Sequence, residues 1–215
     1  MSTSKLIENL SSNISPVKPM RNHMPLWIVL LLINGIVFIS MLGLRQDFLE
    51  RLADIHFWLS VGILTLSLLL TGWAAFQLAK PHINPERYFY SLFPILLLTP
   101  ALGFKLFEEF HYHQHNALSI DNGISCVILT VVFAFLPFCF LVYTIRKGFT
   151  IAPTISGIIG GIAAASSGSL VLNFTCYKNS AIHHIIWHYI PIIGIGIAGY
   201  YLGIKLFSHH IESKR

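Results

Sequence analysis

Charge is what this sequence has least of: 11% of its 215 residues are Asp, Glu, Lys or Arg, while 54% are hydrophobic. Soluble domains carry about 25% charged residues, so this composition excludes an ordinary soluble fold and intrinsic disorder. Three cysteines are too few for a disulfide scaffold. The chain also lacks the zinc-protease, serine-hydrolase and phosphate-loop motifs, which favours a protein that is not an enzyme.

Long apolar runs are abundant instead. A helix crosses the bilayer core with about 20 apolar residues, and six runs approach or exceed that length without Asp or Glu. They predict an all-α integral membrane protein with six transmembrane helices in one bundle, over residues 25–43, 57–79, 88–104, 123–145, 151–176 and 187–207. A tail of residues 1–24 precedes this domain (25–207), and a short tail, 208–215, follows it. Pro94 and Pro100 predict a kink in the third run.

The 14 basic residues indicate the orientation of these helices. Ten of them lie on the side of the two chain ends and four on the other side. Because basic residues concentrate in cytoplasmic segments, both termini are expected in the cytoplasm. Coupled transport usually needs a carboxylate within the membrane, and the absence of one from the six runs disfavours it.

The amino-terminal tail has the pattern of a short amphipathic helix. Leu6, Ile7 and Leu10 fall on one face, and Pro16 ends the pattern before the membrane. Such a helix is a candidate docking peptide for a cytoplasmic partner. The alternatives are a frayed tail and an interfacial helix lying on the lipid.

Two cysteines are expected near the outer surface. Cys126 opens the fourth run and Cys176 closes the fifth, so adjacent antiparallel helices could bring their thiols together. A reversible disulfide or a soft-metal site is one interpretation. A permanent disulfide and two unpaired small hydrophobic residues are the others. Cys139 lies deeper and is interpreted as a buried packing residue.

Histidines cluster on the same side. Three alternate in the third loop, and His183, His184 and His188 follow the fifth run. Imidazole and thiolate together suit zinc, copper or cadmium, so a transient soft-metal ion is expected at most, with no resident cofactor. The alternative is a set of loop histidines without a common role. The candidate metal ligands are His111, His113, His115, His183 and His184.

Small residues recur at a spacing of four in the fifth and sixth runs. This spacing lets membrane helices approach closely, which favours packing over a pore. The contact could lie within the chain or between the subunits of a homodimer. The packing residues are Gly157, Gly161, Ala165, Gly199 and Gly203.

The order of several motifs resembles the NrsF-like (negative regulator of sigma F) membrane anti-sigma factors of bacteria, a six-helix family. The similar elements cover nearly the whole chain and are the leucine-bearing tail with its Pro-Val-Lys-Pro sequence at 16–19, Gly-Leu-Arg-Gln-Asp at 43–47, Cys126, Ala-Pro at 152–153 with Gly157 and Gly161, Cys176, and Trp-His-Tyr at 187–189.

The resemblance implies a regulator in the bacterial inner membrane. Its cytoplasmic amino-terminal segment would hold a sigma factor of the extracytoplasmic-function type, with no direct nucleic-acid contact. Carried onto this chain, the sigma-binding residues would be Leu6, Ile7, Leu10 and Val17, and the residues sensing heavy metal or oxidant would be Cys126 and Cys176. Arg45 and Asp47 match a family motif that could form an outer salt bridge. The alternative function is a small metal or solute transporter or channel.

Overall fold

The computed structural model describes residues 22–81, 84–112 and 123–207, together with the isolated positions 3, 5 and 7. Every regular element within these residues is helical. We number the α-helices α1 (Met24–Leu42), α2 (Phe48–Arg51), α3 (Ile55–Leu78), α4 (Phe93–Leu96), α5 (Leu98–Tyr112), α6 (Ile124–Lys147), α7 (Pro153–Thr175), α8 (Ala181–His184) and α9 (Ile190–Phe207). A 3-10 helix, Pro85–Leu92, precedes α4, and a π-helical turn, Ile185–Tyr189, joins α8 to α9.

The six predicted membrane runs are confirmed as helical segments of sufficient length. Each segment is long and apolar enough to cross a bilayer, and the shortest has 19 residues. Their bounds are Met24–Leu42, Ile55–Leu78, Pro85–Glu108, Ile124–Lys147, Pro153–Thr175 and Ala181–Phe207. The sixth begins earlier than the sequence suggested, because α8 and the π turn extend it towards the fifth.

Helix α7 occupies the centre of the bundle. It is the most buried of the six segments and packs against α3, α6 and α9. Its inward positions are mostly Gly, Ala and Ser, which keep its diameter small enough for three neighbours to pack around it. Helix α1, in contrast, buries only Trp27 and Asn34 and lies at the edge.

The small-residue rows meet within the chain, between α7 and α9. A Cβ atom added to Gly157 would overlap the carbonyl oxygen of Gly199, and one added to Gly161 would lie 2.7 Å from the Ile195 carbonyl oxygen. A Cβ on Gly203 would likewise overlap the Pro153 carbonyl oxygen. The two backbones are therefore in direct contact over several turns, and this face of α7 is used inside one subunit.

The third segment is interrupted where prolines were expected to disturb it. The chain passes from the 3-10 helix into the four-residue α4, which begins at Phe93 next to Pro94, and then into α5. Proline lacks a backbone N–H and cannot continue the hydrogen-bond ladder of a preceding turn. The segment is consequently the least regular of the six.

Helix α1 is anchored to the bundle by its two buried residues. The Trp27 indole is fully buried and lies over Gly72 of α3, where any Cβ would overlap the ring. About two helical turns further along, the side-chain amide of Asn34 donates to the Phe133 carbonyl of α6 at 3.1 Å. This hydrogen bond between two helices replaces the hydrogen bonds to water that the amide loses when it is buried.

Candidate sensor site at the cysteine end of the bundle

The start of α6, the end of α7 and the start of α8 meet at one end of the bundle, which we call the cysteine end. Cys126 lies in the first turn of α6, and Cys176 directly follows α7. Their Sγ atoms are 3.9 Å apart, and both residues are free thiols. The antiparallel arrangement of α6 and α7 thus brings the two predicted cysteines into contact range.

A histidine lies against both thiols. The His183 Nε2 atom is 3.6 Å from the Cys176 sulfur and 3.8 Å from the Cys126 sulfur. His188 lies beside it, with 5.4 Å between the centres of the two rings. One ligand atom from each of these four residues lies within 4.8 Å of the others, so the site has a composition that could hold a metal ion.

The other candidate histidines are placed elsewhere. His184 is buried, but its Nε2 atom pairs with the Lys178 carbonyl oxygen at 3.1 Å and is not part of the four-residue group. His111 is exposed at the end of α5 and stacks on Phe107, with 6.0 Å between ring centres. His113 and His115 lie outside the described residues.

His188 is the residue of this group that the sequence analysis did not select as a ligand. Its five-residue distance from His183 places the two side chains about 140° apart on a regular α-helix. The intervening π turn changes that relation, and such turns have no reliable signature in a single sequence. The sequence grouped His188 with the neighbouring histidines, but only the backbone geometry distinguishes it from His184.

A salt-bridged clamp supports the loop that carries Cys176. The buried Arg45 guanidinium binds the Asp47 carboxylate through Nε at 2.6 Å and Nη2 at 2.9 Å. The same guanidinium donates to the Tyr177 carbonyl at 3.4 Å and to the Asn179 side chain. Lys105 of α5 also donates to the Asn179 carbonyl, at 2.5 Å. The loop after Cys176 is therefore held to the loop after α1 and to α5.

Electrostatics favour this clamp in its ionised form. The hydrogen bond from Arg45 holds the pKa of the Asp47 carboxyl well below its usual range, and a further hydrogen bond from Asn179 acts in the same direction. The Arg45 backbone N–H additionally donates to the Phe174 carbonyl at the end of α7, at 3.1 Å. The Arg45 side chain thus holds the loop after Cys176, and its backbone N–H holds the last turn of α7 just before that loop.

Replacing Arg45 by Gln should loosen the cysteine end. The change leaves Asp47 and the Tyr177 carbonyl without their shared donor, and loss of one partner of a buried ion pair costs up to about 3–5 kcal/mol. Because Asp47 is partly exposed, with 30% of its side chain accessible, we expect about 1–3 kcal/mol here. Thermal unfolding in detergent measures the loss.

The matched control for this prediction is Arg51→Gln. Arg51 pairs with Asp54 and, at 3.6 Å, with Asp47, but its side chain is 15% exposed, against 2% for Arg45. Within the described residues its ion pairs do not reach the loop after Cys176. Equal destabilisation by both variants would contradict a special role for the Arg45 clamp.

Five further predicted positions, Cys139 and the four tail residues, complete the comparison. Cys139, interpreted as a buried packing residue, is exposed on the surface of α6, so that interpretation is wrong. The cause is helical phase: Cys139 points away from α7, whereas Ala134 and Leu141 point towards the core. Of the tail residues, Ile7 is 62% exposed, and Leu6, Leu10 and Val17 lie outside the described residues.

A family model described as NrsF, negative regulator of sigma F, matches residues 10–208. The chain belongs to the NrsF family. The match spans all six helical segments and includes Cys126, Cys176, His183 and His188. No curated protein and no solved structure gives a match. The resemblance found in the sequence motifs is thereby confirmed at the level of the family.

Proposed function

We propose that this NrsF family member is a membrane-bound anti-sigma factor. It sequesters a sigma factor of the extracytoplasmic-function type at the bacterial inner membrane and releases it when heavy metal or oxidant reaches Cys126 and Cys176. The observation that carries the proposal is the family match over residues 10–208. The 3.9 Å separation of the two thiols supports a shared sensing role.

The proposed orientation follows the charges. With ten of the 14 basic residues on the side of both termini, that side faces the cytoplasm and the cysteine end faces the periplasm. Disulfides form and persist in an oxidising compartment such as the periplasm. Thiols at the periplasmic end would also be the first to meet metal ions that arrive from outside the cell. The tail would then meet a cytoplasmic sigma factor while the thiols meet the external signal.

The proposed binding segment is the apolar stripe of the tail, formed by Leu6, Ile7, Leu10 and Val17. Ile7 is largely exposed, so it is accessible to a partner. Burying a side chain of this kind contributes about 1.5–3 kcal/mol, and confinement to the membrane raises the effective concentration of the segment. Four such side chains are sufficient for a specific complex.

Helix α9 connects the two ends of the bundle in this proposal. It follows directly on the π turn that carries His188, runs along α7 through Gly199 and Gly203, and ends at Phe207, which packs with Ala79 and Ile145 at the opposite end. Close-packed interfaces of this kind transmit displacement because they do not deform continuously. A change at the thiols could thus reach the cytoplasmic side.

The hydroxyl groups of the spans support a regulator over a transporter. Thr71, Thr130 and Thr144 each donate to a carbonyl one turn earlier on their own helix, at 2.6, 2.9 and 3.0 Å. Because each of these hydroxyls gives its proton to its own helix, it is not free to donate to a passing polar solute. The proposal therefore includes neither transport nor enzymatic activity.

Charged substitutions in the tail should abolish sigma-factor binding. In the full-length protein, Leu6→Asp with Leu10→Asp places two carboxylates where the sigma factor would bury leucines, and each buried leucine contributes about 1.5–3 kcal/mol. We expect at least a hundredfold loss of affinity. Co-purification of the sigma factor with the detergent-solubilised protein measures it.

Asn9→Asp with Ser12→Asp is the matched control, since it adds the same charge to the other face of the predicted helix. This pair should retain binding. Unchanged co-purification with the leucine variant would refute the docking stripe, and a failure of the unmodified protein to bind any sigma factor would refute the proposed function itself.

A further inference from the structure

The four-residue group at the cysteine end is more than a pair of thiols. We propose that Cys126, Cys176, His183 and His188 form one tetrahedral site for a thiophilic divalent cation, of the class of Zn²⁺ and Cd²⁺. The inference deepens the proposed function, because the signal would be recognised by two histidines as well as two cysteines. The binding site itself stands on its own geometry.

Three of the ligand atoms match one face of a tetrahedron around an ion, and the fourth, from His188, lies within 4.8 Å of each of them. With metal–sulfur bonds of about 2.3 Å and metal–nitrogen bonds of about 2.05 Å, tetrahedral edges are about 3.8 Å between two sulfurs and about 3.6 Å between sulfur and nitrogen. The observed values are 3.9 Å between the two sulfurs, and 3.8 and 3.6 Å from the His183 Nε2 atom to Cys126 and Cys176. Small shifts would thus complete the coordination.

Two buried rings hold nitrogens that the surrounding structure does not satisfy. His188 is fully buried, and neither of its ring nitrogens has a hydrogen-bond partner within the described ranges. His183 is 2% exposed, and its Nδ1 atom is likewise without one there. Leaving a buried nitrogen unpaired is unfavourable, and native proteins rarely do so without a reason such as an ion. A metal ion bound beside the thiols would satisfy one of the two His188 nitrogens. In His183 the nitrogen that faces the thiols is Nε2, so the argument for a ligand rests on His188.

The π turn is what brings both histidines to the thiols. Residues five apart on an α-helix diverge by about 140°, whereas an i→i+5 turn places them nearly one turn apart. The Ile190 N–H donates to the Ile185 carbonyl in this manner, and the Ser169 hydroxyl of α7 holds the His188 carbonyl at 2.7 Å. The π turn, a rare backbone feature that is anchored to α7, thus brings the side chains of His183 and His188 to the same place.

The net charge of the metal-bound site would also suit its position among apolar helices. When a divalent cation binds, the two thiols lose their protons, so two thiolates and two neutral imidazoles surround the ion. The two positive charges of the ion balance the two negative charges, and the site as a whole is neutral. A neutral complex avoids the large desolvation cost of an isolated ion among apolar helices. Sulfur and imidazole select soft or borderline cations over Mg²⁺ and Ca²⁺.

Cobalt binding to the full-length, detergent-solubilised and reduced protein tests the site. Co²⁺ takes the place of Zn²⁺ and reports tetrahedral thiolate coordination through its visible d–d bands and a near-ultraviolet charge-transfer band. We expect one Co²⁺ per chain, displaced by Zn²⁺ or Cd²⁺. His183→Asn and His188→Asn should each weaken binding at least tenfold and change the d–d bands.

His184→Asn is the matched control, because His184 is buried beside the site but binds the Lys178 carbonyl. It should keep both affinity and spectrum. The absence of Co²⁺ and Zn²⁺ binding at micromolar concentration, or unchanged affinity and bands in both His183→Asn and His188→Asn, would overturn the proposal. Thermal unfolding without metal identifies variants that fail to fold, and for those the milder replacements His183→Gln and His188→Gln are used.

Co-purification of the sigma factor with the same samples separates the two proposals. Metal binding without sigma-factor binding overturns the anti-sigma function and supports the site. Sigma-factor binding without metal binding overturns the site and supports the function. Loss of metal binding in the histidine variants with retained sigma-factor binding supports both.

Discussion

Replacing Cys126 and Cys176 together by serine is expected to abolish the response to Cd²⁺ or oxidant while leaving repression intact. Serine keeps the size of each side chain, so the packing of α6 against α7 is preserved. It provides neither a thiolate for a soft metal nor a sulfur that can be oxidised. Because the thiols lie at the cysteine end and the proposed sigma-binding tail leads into α1 at the other end of the bundle, the variant should remain a constitutive repressor.

Transcription from a sigma-dependent promoter measures this loss. Cells with the double variant should show low basal expression and no induction, whereas the unmodified protein should give induction of about tenfold or more, the change that 1.4 kcal/mol in the regulatory equilibrium produces. Cys139→Ser is the matched control, since this third thiol is exposed on α6 away from the site. Full induction in the double variant would refute the thiol sensor.

Replacing Gly157 by Ala is expected to disrupt the contact between α7 and α9. The added methyl group would overlap the Gly199 carbonyl oxygen, and the atom in its way belongs to a helix backbone that cannot rotate aside. Overpacking of a core costs about 1–3 kcal/mol and occasionally more. Since the two helices must separate along several turns, we expect a loss at or above the upper end of this range.

Two other glycines make this test specific. Gly160 lies on α7 with its nearest side-chain atom at 4.0 Å from an added Cβ, and Gly194 lies on α9 with nothing within 4 Å. Alanine at either site should leave stability unchanged or raise it by up to about 1 kcal/mol, because alanine favours the helix. Thermal unfolding in detergent compares the three variants. Equal melting temperatures for Gly157→Ala and Gly160→Ala would contradict the observed packing.

The Gly157 variant also bears on signalling. Helix α9 follows directly on the π turn that carries His188, and it contacts α7 through Gly199 and Gly203. A displaced α9 should therefore move one of the proposed metal ligands as well as the opposite end of the bundle. We expect Gly157→Ala to weaken Co²⁺ binding although the substitution is far from the ligands along the helix.

Local composition was sufficient to predict the six helical segments and their approximate bounds. Apolar length alone identifies a helix that can cross a bilayer, because a lipid environment requires every backbone group to be bonded within the segment. The small residues in the fifth and sixth runs predicted close helix packing for a similar reason, since only residues of that size let two backbones touch. Pro94 marked the interruption of the third segment, because its missing N–H is a property of the residue itself.

Only the tertiary structure decided which of these features meet. It paired the glycines of α7 with those of α9 inside one chain, placed Cys139 on the surface, and joined the motif residues Arg45 and Asp47 to the loop after Cys176. It also brought His188 to the thiols and turned His184 towards a carbonyl, although the two are similar in sequence context. The reason is physical: helix formation depends on neighbours along the chain, whereas helical phase, a π turn and contacts across loops depend on partners distant in sequence.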